Sequence, residues 1–346
     1  MNHNNTLQED IVHFAKKIGF HLVGFTTPYV DNETKERLLR WIKENKHAGL
    51  WYLEEKRRLI MRFHPEKLMD GVKSIIVFGV SYKDNLFTRR VPSDRGYISL
   101  YALRRDYHRV MKKKLKKVVE FIQEHESGLK ARIFVDSAPI LERYFAYKAG
   151  IGFIGKNNFI INPIIGGLIF LGEIFTNLEF KVSEPLSQSC AGCSLCIDAC
   201  PTGALKPFEL NLNLCISYHT IENKGIVPLF VANNMKNRIF GCDECAIACP
   251  YNKKQNNIQP FFNEDSLEHL QGIPLEELVK MTEEDFNNIF KGTPVKRAGY
   301  EVFMRNVIIA IYNSKKEHLF KLAREQCQKS TSILIRKTCN EMGLLD

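Results

Sequence analysis

A single run of the chain reads Cys190-Ala-Gly-Cys193-Ser-Leu-Cys196-Ile-Asp-Ala-Cys200-Pro201. Its four cysteines have the spacing C-x2-C-x2-C-x3-C and are followed by proline. The first three thiolates of this pattern can bind neighbouring corners of one four-iron cluster, and the fourth then ligates a second cluster. The run therefore predicts a ferredoxin-like domain that holds two [4Fe-4S] clusters.

A second cysteine run, further along the chain, reads Cys242-Asp-Glu-Cys245-Ala-Ile-Ala-Cys249-Pro250. It lacks one member of the pattern, and Cys215 is the only nearby cysteine that can replace it. If the last cysteine of each run crosses over to the other cluster, all eight clustered cysteines are used. The predicted ligand sets are Cys190, Cys193, Cys196 and Cys249 for one cluster, and Cys200, Cys215, Cys242 and Cys245 for the other.

A pair of zinc sites is the alternative, because C-x2-C pairs also build zinc ribbons and fingers. Zinc ribbons place their cysteine pairs far apart and rarely add a third cysteine and a Cys-Pro step, which favours iron–sulfur clusters. The chain has ten cysteines, and only Cys327 and Cys339 stand apart from the two runs. Both lie in helical patterns and are interpreted as small buried hydrophobic residues.

Length and composition are those of a globular protein: 346 residues, 45% hydrophobic and 25% charged, enough for two or three domains. Residues 1–10 do not resemble a signal peptide, and the apolar stretch 159–175 is interrupted by Asn162-Pro163 and Gly166-Gly167. We therefore expect a cytoplasmic protein without a membrane span. The 49 basic and 39 acidic residues give a net charge of +10, which indicates a polyanionic partner.

Hydrophobic periodicity predicts an α+β fold. Helices are expected over 6–18 and 106–123, and buried strands over 20–25, 75–80 and 132–135. Residues 159–175 are interpreted as a hairpin with Gly166-Gly167 as its turn, and Thr293-Pro294 as a helix start. The predicted domains are residues 1–184, a cluster domain over 185–257, and a helical, HEAT-like tail over 258–346.

Motifs outside the cysteine runs narrow the function. The chain resembles the epoxyqueuosine reductases over roughly residues 7–313, in segments that stand in the expected order. These segments are Tyr101-Ala102, Asp106-Tyr107-His108, Val135-Asp136-Ser137-Ala138-Pro139, Ala149-Gly150-Ile151-Gly152-Phe153-Ile154-Gly155-Lys156-Asn157, Leu171-Gly172-Glu173-Ile174, Cys215-Ile216-Ser217-Tyr218-His219-Thr220-Ile221-Glu222, Asn237-Arg238-Ile239-Phe240-Gly241-Cys242 and Gly292-Thr293-Pro294-Val295-Lys296-Arg297-Ala298-Gly299.

The resemblance implies reduction of epoxyqueuosine to queuosine at the wobble position of tRNA, the last step of queuosine synthesis. It implies a corrinoid-binding α/β domain related to reductive dehalogenases, two [4Fe-4S] clusters and bound cobalamin. The implied partners are tRNA carrying epoxyqueuosine, through its anticodon stem-loop, and an external electron donor such as a flavodoxin or ferredoxin. A monomer is expected. A reductive dehalogenase-like enzyme and a stand-alone iron–sulfur electron carrier are the alternatives.

Asp136 is the catalytic candidate. Its position between a predicted strand and a predicted helix favours a helix N-cap by pattern alone. The resemblance instead implies the acid that protonates the departing oxygen, with a pKa raised by burial or by negative neighbours. The implied cofactor-binding residues are Arg58, Tyr101, Asp136, Lys156, Asn157, Ser217, Tyr218, Cys242 and Asp243.

Two basic sets compete for the RNA. One lies on the predicted helix 106–123 and is interpreted as a solvated helix face. The other comprises Lys296, Arg297 and Arg305, and two of these belong to a segment that carries the resemblance. We expect this second set to contact phosphates of the anticodon stem.

Overall fold

The computed structural model describes residues 3–83, 87, 90–253, 261 and 267–345. The helices are α1 His3–Lys17, α2 Asn32–Lys43, α3 Trp51–Glu54, α4 Lys56–Phe63, α5 Tyr107–His125, α6 Glu142–Lys148, α7 Leu195–Asp198, α8 Ile216–Ile221, α9 Leu229–Asn234, α10 Glu244–Ile247, α11 Pro250–Lys253, α12 Leu275–Lys280, α13 Glu283–Ile289, α14 Tyr300–Ser314, α15 Glu317–Lys329 and α16 Ile333–Glu341. The strands are β1 Leu22–Thr26, β2 Ser74–Ser81, β3 Tyr97–Ile98, β4 Ala131–Phe134, β5 Phe153–Ile154, β6 Ile160–Ile161, β7 Ile169–Thr176, β8 Leu205–Lys206, β9 Glu209–Leu210 and β10 Arg238–Phe240.

A four-stranded antiparallel sheet of order β1-β2-β7-β4 organises the amino-terminal half. Strand β2 is buried along its whole length because helices cover both faces of the sheet. Alternate residues of β2 point to opposite faces. Ile76 and Phe78 join the core formed with α1 and α5, whereas Ile75 and Val77 join a second core formed with α6. The three strands predicted from apolar, β-branched runs are confirmed within two residues at each end.

The predicted hairpin over 159–175 is wrong. Strand β7 pairs with β2 and β4, and β6 pairs with β5. Within the predicted hairpin the structure has only a tight turn, in which Asn162 and Gly166 form an isolated antiparallel bridge. The β-branched residues of 169–176 are instead used in the centre of the sheet, where both faces of the strand can be buried.

The cysteine-rich segment consists of short helices and loops and is joined to the rest by backbone pairing. Strand β10 pairs in parallel with β3. Helix α14 is apolar on almost every side and packs between this segment and the last helices, so ten consecutive residues, 302–311, are buried. A single hydrophobic cluster runs from Leu7 to Leu344. Of the predicted domain boundaries, the one between 257 and 258 lies outside the described residues.

Cys327 and Cys339 are fully buried, as expected, but they are not separate thiols. They form a disulfide that joins α15 to α16, which corrects their interpretation as independent hydrophobic residues. Within the described part of the chain, no helix has both the length and the apolar character needed to span a membrane.

Candidate functional site

A cavity of about 770 Å³ lies where the sheet, the cysteine segment and the helical tail meet. Its lining is more apolar than polar, and the volume is in the range of sites that enclose large organic ligands. Leu50, Tyr52 and Leu53, on or next to α3, form part of the lining. Tyr101 and Asn157, two of the sequence-predicted cofactor residues, form another part.

One predicted ligand set lines this cavity. Cys200, Cys215, Cys242 and Cys245 all contribute to its wall. Their thiols are close enough to interact electrostatically, Cys245 with each of the other three. Ser217 and Tyr218, which follow Cys215 on α8, also face the cavity. The structure therefore brings together three cysteines from the two runs and Cys215, beside predicted cofactor residues.

The other predicted set lines a smaller cavity of about 310 Å³. Its cysteines are Cys190, Cys193, Cys196 and Cys249, and the Cys196 thiol interacts with the other three. Asn157 lines both cavities, and its Nδ2 donates to the carbonyl of Cys245 at 3.4 Å.

Lys156 belongs to this smaller site. Its Nζ donates to the carbonyls of Ala191 and Cys193 at 2.9 and 2.8 Å, and its amide donates to the Cys190 sulfur. Its ammonium group is therefore held by the first cysteine loop in this structure, and its contact with the large cofactor stays a prediction.

Asp136 lies in the loop between β4 and α6 and faces the large cavity. It is not a helix N-cap, since α6 begins at Glu142 and is preceded by Leu141. Its φ is 57°, a left-handed conformation that Asp tolerates better than most residues. The N-cap alternative is thereby excluded, and 42% of the Asp136 side chain is exposed.

His108 is the main residue that the sequence reasoning missed. Its Nε2 lies 2.9 Å from Oδ2 of Asp136, and its Nδ1 lies 2.5 Å from Oδ1 of Asp106. The imidazole therefore bridges two carboxylates at the edge of the cavity. Asp106 is the N-cap of α5 and also accepts the His108 amide, which fixes the ring at the start of that helix.

The charges of this bridge follow from its contacts. Burial alone would lower the pKa of His108, but the hydrogen bonds to Asp106 and Asp136 outweigh burial and raise it to about 9. Burial alone would raise the pKa of Asp136, but the bond from His108 and the charges of His108 and Arg297 hold it below its usual value. The expected upward shift of the Asp136 pKa depends on a closed site and on tRNA phosphates, and it stays a prediction. At neutral pH the proton resides on His108.

The predicted RNA-contacting residues separate into two groups. Lys296 and Arg297 are exposed and line the cavity, and Arg297 pairs with Glu222 at 2.8 Å and lies 3.7 Å from Oδ2 of Asp136. Arg305 is fully buried within α14, and its guanidinium donates to three backbone carbonyls and to Asn306. The expectation that Arg305 contacts phosphate is corrected, because its donors are already used inside the protein.

Two further cofactor candidates do not line the large cavity. Asp243 is buried, and its carboxylate accepts hydrogen bonds from Tyr97, Ser99 and the Leu100 amide. Arg58 stacks its guanidinium 5.9 Å from the centre of the Trp51 ring, outside the lining. The cofactor contacts of Asp243 and Arg58 stay predictions.

Similarity to known proteins agrees with this geometry. Epoxyqueuosine reductase of Francisella cf. novicida (strain Fx1) is 39% identical over 289 residues, which cover 80% of this chain and 78% of the relative. This chain belongs to the epoxyqueuosine reductase family. Residues 62–137 match the family "Epoxyqueuosine reductase QueG, DUF1730", and residues 189–252 match the "4Fe-4S double cluster binding domain".

Two solved epoxyqueuosine reductases share the fold. One was crystallised with a tRNA-Tyr epoxyqueuosine-modified stem loop and has a TM-score of 0.88 at 29% identity, over 98% of this chain and 89% of that chain. The other, from Bacillus subtilis, has a TM-score of 0.88 at 28% identity, over 98% of this chain and 90% of that chain. In the latter structure the loop of the catalytic aspartate is swung out of the active site.

Proposed function

We propose that this chain reduces epoxyqueuosine to queuosine in the anticodon of tRNA. The observation that carries the proposal is the meeting, in one cavity, of four cysteines with an Asp–His pair that holds a proton. The reaction consumes one epoxide, two electrons and two protons, and yields an alkene and water. The site must therefore receive electrons singly and deliver protons to the departing oxygen.

The two cysteine sets suit [4Fe-4S] clusters. Each set places four thiols around one cavity, which is the donor set that such a cluster requires. We assign Cys190, Cys193, Cys196 and Cys249 to one cluster and Cys200, Cys215, Cys242 and Cys245 to the other. When bound, the clusters supply electrons one at a time.

Cobalamin suits the large cavity. The volume and apolar lining fit a large organic ligand, and the second cysteine set stands in the same wall as the acid. We assign its binding to Tyr101, Asn157, Ser217 and Tyr218, which line the cavity. When bound, cobalamin supplies a reduced metal that is nucleophilic toward an epoxide carbon and that converts single electrons into a two-electron reduction.

Asp136 and His108 handle the protons. An alkoxide is a poor leaving group, so the oxygen must be protonated as its bond to carbon breaks. Before substrate enters, the pair holds its proton on His108. Filling the cavity excludes water and disfavours the charged pair relative to the neutral one, which moves the proton onto Asp136. Asp136 then donates it to the oxygen. The His108 side chain remains 22% exposed at the cavity edge, so it can take a second proton from solvent outside the filled cavity and supply it to complete water.

Lys296 and Arg297 are placed to contact RNA at the cavity edge. Both are exposed cations that line the cavity, Arg297 lies 3.7 Å from Asp136, and RNA phosphates are the anions that an anticodon stem presents. The modified base must leave its stack to reach the cavity, as it does in other enzymes that act on bases. Because tRNA is the proposed substrate, we place this activity in the cytoplasm. We also propose that the chain acts as a monomer and accepts electrons from a flavodoxin or ferredoxin.

The test uses anaerobically purified protein with reconstituted clusters and added cobalamin. We expect about eight irons per chain, stoichiometric cobalamin and conversion of epoxyqueuosine in a tRNA stem-loop, measured by mass spectrometry of the nucleosides. Asp136→Asn should keep both cofactors and lose turnover by at least about 100-fold, because proton donation contributes about that much. Asp285→Asn, which changes an exposed aspartate at the start of α13, is the matched control.

Three results would contradict the proposal. Colourless protein with full zinc content would remove the clusters, and full activity of Asp136→Asn would remove the acid. Iron–sulfur protein that binds no cobalamin and reduces no RNA would indicate an electron carrier.

A further inference from the structure

The loop that carries Asp136 needs a restraint, because its backbone conformation is a costly one. The φ of 57° at Asp136 lies in the left-handed region, which an L side chain adopts only when the surrounding structure holds it there. Strand β4 ends two residues before Asp136, and α6 begins six residues after it. Neither element fixes the carboxylate in the cavity by itself.

Glu142 closes this loop. Its Oε1 accepts the backbone N–H of Asp136 at 2.5 Å, so the first residue of α6 is bonded to the residue that carries the acid. A hydrogen bond to a carboxylate is stronger than one to a neutral acceptor. Because the bond is made by the Asp136 amide, it restrains the backbone and leaves the Asp136 carboxylate available to His108 and to substrate.

A second glutamate, Glu173, interacts with Glu142. It lies in β7 opposite Phe134 of β4, and its side chain is fully buried. Neither of its carboxyl oxygens receives a hydrogen bond from a donor among the described residues. The Glu142 side chain nevertheless acts on this carboxyl group, both as a nearby charge and as a hydrogen-bond partner. Two carboxyl groups can bond to each other only if one of them holds a proton.

Charges around the pair determine where that proton lies. Burial and the nearby charges of Glu142 and Asp136 all raise the pKa of Glu173 above its usual range. Burial and the charge of Asp136 raise the pKa of Glu142 to about 7, while the Asp136 amide and the cations His108 and Arg143 oppose this shift. Of the two groups, Glu173 therefore keeps its proton to the higher pH, and it can donate this proton to Glu142.

We propose that Glu142 is a positioning residue, which holds the Asp136 loop in the cavity through the Asp136 amide, and that protonated Glu173 orients Glu142 by donating a hydrogen bond to it. The reacting groups remain Asp136 and His108. The inference rests on the proposed function for its catalytic readout, but its structural part concerns only the loop. The inference assigns a role to the buried Glu173 carboxyl group, which donates a hydrogen bond to Glu142. An apolar residue of the same size could not donate this bond.

The first experiment compares Glu142→Ala with Glu142→Gln in the reconstituted holoenzyme. Alanine removes the acceptor, so amide hydrogen exchange in the peptide 135–142 should be about tenfold or more faster. The kcat should fall at least tenfold, with the KM for the tRNA stem-loop unchanged within about twofold. Glutamine keeps an oxygen that can accept the Asp136 amide, so it should restore slow exchange and most of kcat. Glu276→Gln, an exposed carboxylate on α12, is the matched control.

The second experiment replaces Glu173. Glutamine has the shape of a protonated glutamic acid and can donate to Glu142, so Glu173→Gln should keep slow loop exchange and kcat within about threefold of the parent. Glu173→Ala removes the donor and should reproduce the fast exchange and low kcat of Glu142→Ala. Cluster and cobalamin content, measured on each variant, distinguish a loosened loop from a misfolded protein.

Two results would overturn the inference. Unchanged loop exchange in Glu142→Ala would show that the amide bond does not restrain Asp136. Loss of turnover in Glu173→Gln with loop exchange unchanged would make Glu173 a proton-transfer group. If the parent enzyme itself failed to reduce epoxyqueuosine, the proposed function would fail, while the exchange measurements would still test the loop.

Discussion

Asp106 offers a way to test the proton assignment without disturbing the helix that it caps. Its Oδ1 accepts both the amide and Nδ1 of His108. Asn caps a helix about as well as Asp does, so Asp106→Asn should preserve α5 while removing one negative charge from the imidazole. The side chain of Asp136 would then be the only carboxylate bonded to His108.

The expected effect follows from the raised pKa of His108. Its pKa of about 9 stands against an ordinary value of 6.5, and two carboxylates produce the increase against burial. Removing one of two similar contributions should lower the pKa by at least about one unit. Protonated His108 is the active form, so the rate is highest below its pKa and falls as the pH rises through it.

The assay is single-turnover reduction of epoxyqueuosine in a tRNA stem-loop well below saturation, between about pH 6 and pH 10, because the rate then reports the pKa values of the free enzyme. For the parent we expect about half of the plateau rate at pH 9 and about a tenth at pH 10. For Asp106→Asn the midpoint should move to about pH 8 or below, which leaves about a tenth of the plateau rate at pH 9.

Asp31 provides the control, because it caps α2 through the Thr34 amide in the same way and does not line the cavity. Asp31→Asn should leave the midpoint at about 9. A midpoint for Asp106→Asn equal to that of the parent, or higher, would refute the reasoning, since His108 would then not supply the proton.

The remaining predictions concern the basic residues. Lys296→Ala/Arg297→Ala should weaken tRNA binding and lower the slope of log K against log salt concentration by about one to two, measured by filter binding between 50 and 200 mM salt. The control Lys280→Ala, at an exposed position on α12, should leave this slope unchanged. An unchanged slope in the double variant would place the RNA contact elsewhere. Arg305→Ala should leave tRNA affinity unchanged but lower the free energy of unfolding by several kcal/mol, because carbonyls that it now satisfies would be buried without donors. Thermal denaturation measures this loss of stability. A variant of unchanged stability that binds RNA weakly would show that Arg305 contacts RNA.

The grouping of the cysteines into two sets could be predicted well, because metal ligation depends on residue spacing and spacing can be read directly from a sequence. Cys200 was assigned to the set of the second run and Cys249 to that of the first, because each set then has four ligands. The structure places both cysteines beside the expected partners. The central strands could also be predicted well, because a continuous run of apolar, β-branched residues indicates a strand that is buried on both faces.

Side-chain direction on a helix was harder to predict. Arg305 follows Lys296 and Arg297 in sequence, yet α14 is surrounded by other elements, so its cation is used to satisfy buried carbonyls. His108 was visible only as part of a motif. A histidine two residues after an N-cap aspartate is a signal for a fixed imidazole, but its second partner, Asp136, lies 28 residues away.

The carboxylate of Asp243 has a consequence for how this chain could be divided. It sits between two cysteines of one set, yet all three of its hydrogen-bond donors, Tyr97, Ser99 and the Leu100 amide, belong to the amino-terminal half. Strand β10 also depends on β3 of that half for its pairing. An excised fragment 185–257 would lose these three donors to Asp243 and would have an open strand edge. Transplanting the redox segment into another scaffold would therefore require bringing residues 97–100 with it.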